Sequence, residues 1–176
     1  MTPVRPAQLQ EPTRQAWHKS ASGWNRQTPA IRSWLAAATA AMFDAAHIRE
    51  GMRVLDIAAG AGDQTLDIAR RVGLGGHVLA TDISAAILQF AKENAQQAGL
   101  TQVETRPGDA EELNLPAASF DAAVSRLGLM FCPDPLRALQ QIHHALKPCG
   151  QAAVLVFSEP QRNPCIGILM STALRH

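Results

Sequence analysis

A loop of small residues beside two carboxylates is the part of this sequence best suited to chemistry. The apolar run Val54–Ile57 carries Asp56 and leads into a loop that contains Gly60 and Gly62, and Asp82 ends the next apolar run. Glycine lets a loop backbone approach a ligand closely. The first amides of a following helix have no partner within the helix and lie at the positive end of its dipole. The pattern therefore predicts a site for a nucleotide-like cofactor with an anionic group.

Strands and helices alternate along the chain from residue 29 onward. Apolar runs bounded by turn residues predict five strands, which are Arg53–Ile57, His77–Thr81, Val103–Arg106, Phe120–Ser125 and Gln151–Phe157. Because Ser and Asp cap helices and Pro favours their first turn, helices are predicted from Pro29 to His47 and from starts at Asp63, Ser84 and Asp134-Pro135. The buried side of the last helix is predicted to consist of Leu136, Leu139, Ile142 and Leu146.

This alternation predicts an α/β fold, with a Rossmann-like, doubly wound and mostly parallel sheet of five strands. The ligand crevice of such a sheet lies outside the carboxyl ends of its strands. Four polar residues fall at or just past these ends, namely Asp56, Asp82, Asp109 and Arg126. We therefore expect them to converge on one crevice.

The two ends of the chain differ from this middle part. Residues 1–28 contain three prolines and many polar side chains, which predicts an irregular arm or one short helix over Gln15–Ser22. One domain is expected over residues 29–176. After Pro160 the pattern of another helix begins, over Ile166–Leu174, and the sequence then stops. The sequence is therefore interpreted as an incomplete domain.

Composition limits the classes of function. The chain has 176 residues with 47% hydrophobic content, enough for one domain with an ordinary core. The formal net charge of +1 gives no overall field that attracts nucleic acid or an anionic membrane. The 3 cysteines lie far apart, which indicates neither a disulfide framework nor a metal site and favours the cytoplasm. No run approaches the roughly 18 apolar residues of a membrane-spanning helix. Because the net charge favours neither nucleic acid nor a membrane as partner, a small-molecule partner is favoured.

Residues 53–157 resemble the class I S-adenosylmethionine-dependent methyltransferases, particularly the ubiquinone and menaquinone biosynthesis C-methyltransferases. The first motif of that family, an acid followed by three alternating glycines, corresponds to Asp56–Gly62, with Ala58 in place of the first glycine. The second motif, the acid that closes the second strand, corresponds to Asp82. Further matches are Gly108-Asp109-Ala110, Phe120–Arg126 and the turn Leu146–Gly150, in which Cys149 stands where the family usually has glycine.

The resemblance implies S-adenosylmethionine as the cofactor and a small-molecule methyl acceptor. Asp82 is expected to accept hydrogen bonds from both ribose hydroxyls, and the glycines to admit the methionine part. Asp109 is expected beside the adenine, whereas Arg126 is assigned to the cofactor or the substrate side, with a surface salt bridge as the alternative. The cofactor-binding residues implied are Asp56, Ala58, Gly60, Gly62, Asp82, Ile83, Asp109, Ala110 and Arg126.

The resemblance also bears on assembly. The family adds an antiparallel pair of strands beyond the point where this sequence stops, so the fifth strand is expected to be a sheet edge. Because exposed edges favour pairing with another chain, a homodimer through this edge is expected.

Two other functions remain open at this point. A nicotinamide-dependent oxidoreductase would also place an acid such as Asp82 about twenty residues past a glycine loop. However, Thr65 stands where that fingerprint needs its third glycine. A non-catalytic module that binds cofactor or partner is the other alternative. Each acid singly has a structural alternative as well, in a turn or a cap.

No side chain is identified as catalytic, and in-line methyl transfer from a sulfonium requires no nucleophilic residue from the protein. Four residues are candidates for the acceptor pocket, namely Trp24, Trp34, Met130 and Phe131, although core packing is favoured for Trp34 and Phe131. His143 and His144 are expected on a solvated helix face rather than in a metal site.

Overall fold

The computed structural model describes residues 6–164, in which five strands form one parallel sheet. The strands are β1 (Arg53–Ile57), β2 (His77–Asp82), β3 (Val103–Pro107), β4 (Phe120–Arg126) and β5 (Leu146–Leu155). The helices are α1 (Pro6–Ala45), α2 (Asp63–Val72), α3 (Ala85–Gln97) and α4 (Pro135–Ala145). The predicted α/β class and the five predicted strands are confirmed. The helix expected over Ile166–Leu174 lies outside the described residues.

The strand order is β3-β2-β1-β4-β5, so the chain reverses its direction of winding beside β1. Both neighbours of β1 run parallel to it, with Asp56 level with Ala80 on one side and Val124 on the other. In an open α/β sheet the ligand crevice lies at such a switch point, outside the carboxyl ends of the strands. This places the crevice past the ends of β1, β2 and β4.

Alternating residues of the strands pack against helices on both faces of the sheet. One face, with Val54 and Val78, packs against α2 and the end of α1. The other face, with Leu55 and Leu79, packs against α4. Because both faces are covered, the middle positions of the central strands are apolar, as expected of a buried parallel sheet, and their polar residues lie near the strand ends.

Helix α1 corrects the prediction for residues 1–28. We expected an irregular arm or a short helix there, but Pro6–Ala45 is one continuous helix, and both Pro12 and Pro29 lie inside it. Proline removes a helical hydrogen bond and disfavours the helix interior. Here tertiary packing overrides that cost, because Ala21 is buried in a cluster with Ala61 and Ile87.

Helix α4 begins as predicted but buries a different face. The Asp134 side chain accepts a hydrogen bond from the Arg137 amide, and Pro135 is in the first turn. The prediction for Leu136 and Leu139 is wrong, since they are 64% and 43% exposed. The prediction for Ile142 is confirmed, and two alanines take the place of the leucines: the buried residues of α4 are Ala138, Ile142 and Ala145. Alanines let the helix lie closer to the sheet than leucines would.

Strand β5 also starts earlier than expected. The predicted turn at Leu146–Gly150 lies inside the strand, where the register slips between Phe120 and Ala122 of β4. Cys149 has a φ of 66° in this irregular stretch. Within residues 6–164, β5 pairs with β4 alone. None of the helices within residues 6–164 has the length and apolar character that crossing a bilayer requires.

Candidate functional site

The loop after β1 is tied to the end of β2 by the Asp82 carboxylate. Its Oδ2 accepts a hydrogen bond from the Gly60 amide at 3.0 Å, and its Oδ1 accepts one from the Ser84 amide at 2.9 Å. Burial raises the pKa of the Asp82 carboxyl above its usual value, against the lowering effect of these two amides. Each oxygen has a second lone pair, so the carboxylate can accept further donors.

The two glycines of the loop face different neighbours. A Cβ added to Gly60, whose φ is +59°, would lie 3.3 Å from Trp24 Nε1 on α1. A Cβ added to Gly62, whose φ is +85°, would lie 2.7 Å from Ala91 Cβ and 2.9 Å from Ala91 Cα on α3. Gly60 therefore borders the space under α1, whereas Gly62 allows α2 and α3 to pack closely.

Helix α2 begins one residue earlier than predicted. We expected Asp63 to cap it, but Gly62 is the N-cap, no side chain caps the helix, and Asp63 is its first residue. Asp63 instead forms an ion pair with Arg126 at 2.7 Å, in which the side chains are 4% and 6% exposed respectively. The Arg126 guanidinium also donates to Thr39 Oγ1 at 3.0 Å. The pair is buried, not a surface salt bridge, and it joins β4, α2 and α1.

Asp56 is completely buried beneath the loop. Its carboxylate accepts hydrogen bonds from Gln64 Nε2 and, at 2.6 Å, from Thr65 Oγ1. Burial raises the pKa of Asp56 from its usual 3.8 to about 7, although both donors favour the charged form. Asp56 thus fixes the first turn of α2 to the end of β1.

Residues after β3 approach the same crevice. The Gly108 amide donates to the Asp82 carbonyl at 2.9 Å. The Asp109 side chain accepts from the Glu111 amide at 2.8 Å and caps a short 3-10 helix, Ala110–Glu112. The Glu111 side chain was missed by sequence reasoning, although it is buried and accepts from the Asp134 amide at 2.9 Å. A lone glutamate in a polar stretch gives no signal of such a role.

A cavity of about 330 Å³ opens between these loops and α1. Seven predicted site residues line it, namely Ala58, Gly60, Asp82, Ile83, Asp109, Ala110 and Arg126. Asp56 and Gly62 are not among the lining residues. The structure therefore brings residues at and just past the ends of β1, β2, β3 and β4 together on one rim of the sheet. Asp56 and Gly62 lie outside the cavity lining.

The other wall of the cavity is apolar and largely aromatic. Trp34 and Phe131 line it and are 63% and 50% exposed, so their prediction as core residues is wrong. Trp17 was not predicted; its ring lies edge-on to Trp24 and to Phe131, with centroids at 5.3 and 5.4 Å. The expected lining residues Trp24 and Met130 are both present. This wall suits an apolar, flat molecule.

Within residues 6–164, the cavity has no ionised thiol and there is no cluster of metal ligands. Burial raises the pKa of the Cys132 thiol, a lining residue, to about 12, so the thiol is neutral near pH 7. Among residues 6–164 there is no group of three or more His, Cys, Asp or Glu arranged to hold a metal ion. His143 and His144 are exposed on the last turn of α4, as predicted.

Comparison with known proteins gives one family. A family model described as a methyltransferase domain matches residues 48–172. The ubiquinone/menaquinone biosynthesis C-methyltransferase of Idiomarina loihiensis is 38% identical over 118 residues, which cover 66% of this chain and 47% of that protein. The chain spans about half the length of the curated relatives that it matches.

Solved structures agree on the fold. An S-adenosylmethionine-dependent methyltransferase from Aquifex aeolicus superposes with a TM-score of 0.61 at 23% identity, covering 68% of this chain and 71% of that one. An arsenic(III) S-adenosylmethionine methyltransferase from Chlamydomonas reinhardtii superposes with a TM-score of 0.57 at 29% identity, covering 61% of this chain and 39% of that one. At 23% identity, the likeness to the Aquifex aeolicus protein shows a shared fold only.

Proposed function

Because this chain belongs to the family of S-adenosylmethionine-dependent methyltransferases, we propose that it binds S-adenosylmethionine in the cavity beneath α1 and transfers the methyl group to a small apolar acceptor. One observation carries this proposal. Asp82 and Gly60, 22 positions apart in sequence, meet through a hydrogen bond on the rim of a cavity whose opposite wall is aromatic. The nicotinamide-dependent alternative does not fit this family.

The residues of the rim suit the parts of this cofactor. Each Asp82 oxygen uses one lone pair on a backbone amide and keeps another for a ribose hydroxyl. Asp109 and Ala110 line the same cavity as Ile83, and we assign the adenine to this part of the wall. Gly60 lines the cavity, and a side chain there would press against Trp24, so the bare backbone at this position supports our placing the methionine part beside it.

The amino-acid end of the cofactor meets the start of α2. The N–H groups of the first helical turn and the Arg126 guanidinium favour an anionic group, and Asp63 neutralises part of the arginine charge. Asp56 does not touch the cofactor in this proposal; it positions the loop through Gln64 and Thr65.

When bound, S-adenosylmethionine supplies an electrophilic methyl group on a positively charged sulfur. The chain has to hold the acceptor in line with that group and exclude water, and alignment alone can supply much of the rate. The apolar side chains of Met130, Phe131 and Trp34 line the cavity and are exposed, so an apolar acceptor that covers them displaces water from this wall. No side chain is assigned here as a general base.

For the acceptor, we propose a quinol-like aromatic compound. The relative in Idiomarina loihiensis is named for ubiquinone and menaquinone biosynthesis, and the aromatic wall supports a flat apolar molecule. A homodimer through the free edge of β5 also stays a proposal, supported by its pairing with β4 alone among the described strands. Sedimentation showing a monomer at all concentrations would remove that part. The cytoplasmic location remains a prediction.

A methyl-transfer assay tests the proposal. The protein is incubated with S-adenosylmethionine carrying a labelled methyl group and a panel of quinols, phenols and aliphatic acceptors. We expect labelled product with an aromatic acceptor, and at least tenfold less with Asp82→Asn, which keeps the size of the side chain but loses its charge. Binding of the cofactor without product from any acceptor would instead favour the alternative of a non-catalytic binding module.

A further inference from the structure

Helix α1 carries all the tryptophans of the chain. The sequence has 3 tryptophans and no tyrosine, and Trp17, Trp24 and Trp34 all line the cavity. Trp24 is the one that reaches the glycine loop, since its Nε1 lies 3.3 Å from the position of a Cβ on Gly60. The helix therefore contributes a polar atom, as well as apolar surface, to the cofactor end of the site.

Within residues 6–164, no protein atom accepts a hydrogen bond from the indole N–H of Trp24. The amide of Gly60 next to it, in contrast, is already bonded to Asp82. An indole N–H only donates, so it can pair with a carboxylate but not with an ammonium group. Hydrogen bonds to a charged acceptor are also the stronger ones.

The position of the ring is fixed before any ligand binds. Trp17 packs edge-on against it, and Ala21, one turn earlier on α1, is buried against Ala61 and Ile87. The Trp24 carbonyl accepts a hydrogen bond from Thr28 Oγ1 at 3.3 Å. A donor held in place in this way loses little freedom on binding, which favours affinity.

We propose that Trp24 is a cofactor-binding residue whose Nε1–H donates a hydrogen bond to the carboxylate of the methionine part. This inference rests on the proposed function, because it takes S-adenosylmethionine as the ligand. The carboxylate is the only anionic group of that cofactor, and Gly60, beside Trp24, borders the path assigned to the methionine part. Helix α1 then belongs to the binding site itself.

Calorimetry with two ligands tests this contact. S-adenosylhomocysteine keeps the carboxylate, whereas 5′-methylthioadenosine lacks the whole amino-acid end. We expect Trp24→Phe, which keeps an aromatic ring but removes the N–H, to weaken S-adenosylhomocysteine binding roughly tenfold or more and to leave 5′-methylthioadenosine binding within about twofold. The matched control is Trp34→Phe, the same change about 15 Å further along the helix, which should weaken neither ligand selectively.

Equal loss of affinity for both ligands, or no loss for either, would overturn the contact while leaving the proposed function standing. Failure of the unaltered protein to bind either ligand would refute the proposed function as well.

A second measurement does not depend on the Trp24→Phe variant folding. In the double variant Trp17→Phe, Trp34→Phe, Trp24 is the only tryptophan, and its fluorescence reports on its own N–H. We expect S-adenosylhomocysteine to shift its emission and 5′-methylthioadenosine to shift it much less. Identical shifts with both ligands would contradict the inference.

Discussion

Gly62→Ala should destabilise the protein more than an ordinary glycine substitution does. At a φ of +85° any L-residue is strained, at a cost of about 1–2 kcal/mol. The added Cβ would also lie 2.7 Å from Ala91 Cβ and 2.9 Å from Ala91 Cα, closer than Cβ atoms normally approach. Overpacking of this kind costs about 1–3 kcal/mol, so we expect a total loss of roughly 2–5 kcal/mol in the free energy of unfolding.

Gly51→Ala is the matched control for the backbone cost. Gly51 has a φ of +79°, but nothing lies within 4 Å of the added Cβ. Urea unfolding of both variants, followed by circular dichroism, should show a loss of about 1–2 kcal/mol for Gly51→Ala and a clearly larger one for Gly62→Ala. Ala91→Gly, introduced together with Gly62→Ala, should recover part of the difference, because it removes one of the two colliding atoms.

If Gly62→Ala cost no more stability than Gly51→Ala, or if Ala91→Gly gave no coupling, the predicted collision with Ala91 would be refuted. The two loop glycines differ in role. Gly60→Ala should weaken cofactor binding through Trp24, with a loss of stability closer to that of the control.

Three further predictions concern strained or buried positions. Ala58→Gly relieves a φ of 56° and should stabilise the fold by about 0.5–1 kcal/mol in urea unfolding, since the relief outweighs the entropy cost of glycine; it should also reduce the damage of Gly128→Ala, whose Cβ would lie 2.2 Å from that of Ala58. Cys149→Gly, at a φ of 66°, should stabilise by a similar amount, and a loss of stability would contradict this reading. Burial raises the pKa of Asp56 to about 7, so between about pH 4 and 7 the folded state keeps a proton that the unfolded chain releases, and the free energy of unfolding should fall with rising pH by up to roughly 4 kcal/mol. Because burial raises the pKa of Asp82 as well, Asp56→Asn should reduce the fall, measured by urea unfolding at pH 5 and 7.5, and leave the part that Asp82 contributes; an unchanged fall would show that Asp56 is not a source of it.

The sequence was most informative where residue type and backbone conformation point the same way. The apolar runs predicted the strands, and Ser84 caps α3 as expected, with its hydroxyl accepting from the Ile87 amide. Asp82 and Gly60 were placed together correctly because parallel strands bring their carboxyl ends to one edge. These features depend on local pattern plus one topological rule.

Other features depend on packing that no local pattern encodes. The prolines of α1 argue against a helix that tertiary contacts nevertheless support. In α4 the large leucines indicated the buried face, but the sheet accepts the alanines. By side-chain size Ala58 differs little from the glycine of the family motif, but its φ of 56° shows that the position favours glycine for its backbone conformation. The same reason applies to Cys149.

The proposed function requires that Asp82 and the Gly60 loop, which meet through a hydrogen bond, hold one adenosyl group between them. Calorimetric titration of the unaltered chain and of Asp82→Asn with S-adenosylmethionine and, separately, with NADH tests it most directly. We predict saturable binding of S-adenosylmethionine, weakened roughly tenfold or more by Asp82→Asn as charged hydrogen bonds are lost, and no binding of NADH. Binding of NADH alone, or an affinity for S-adenosylmethionine that Asp82→Asn leaves unchanged, would contradict the account.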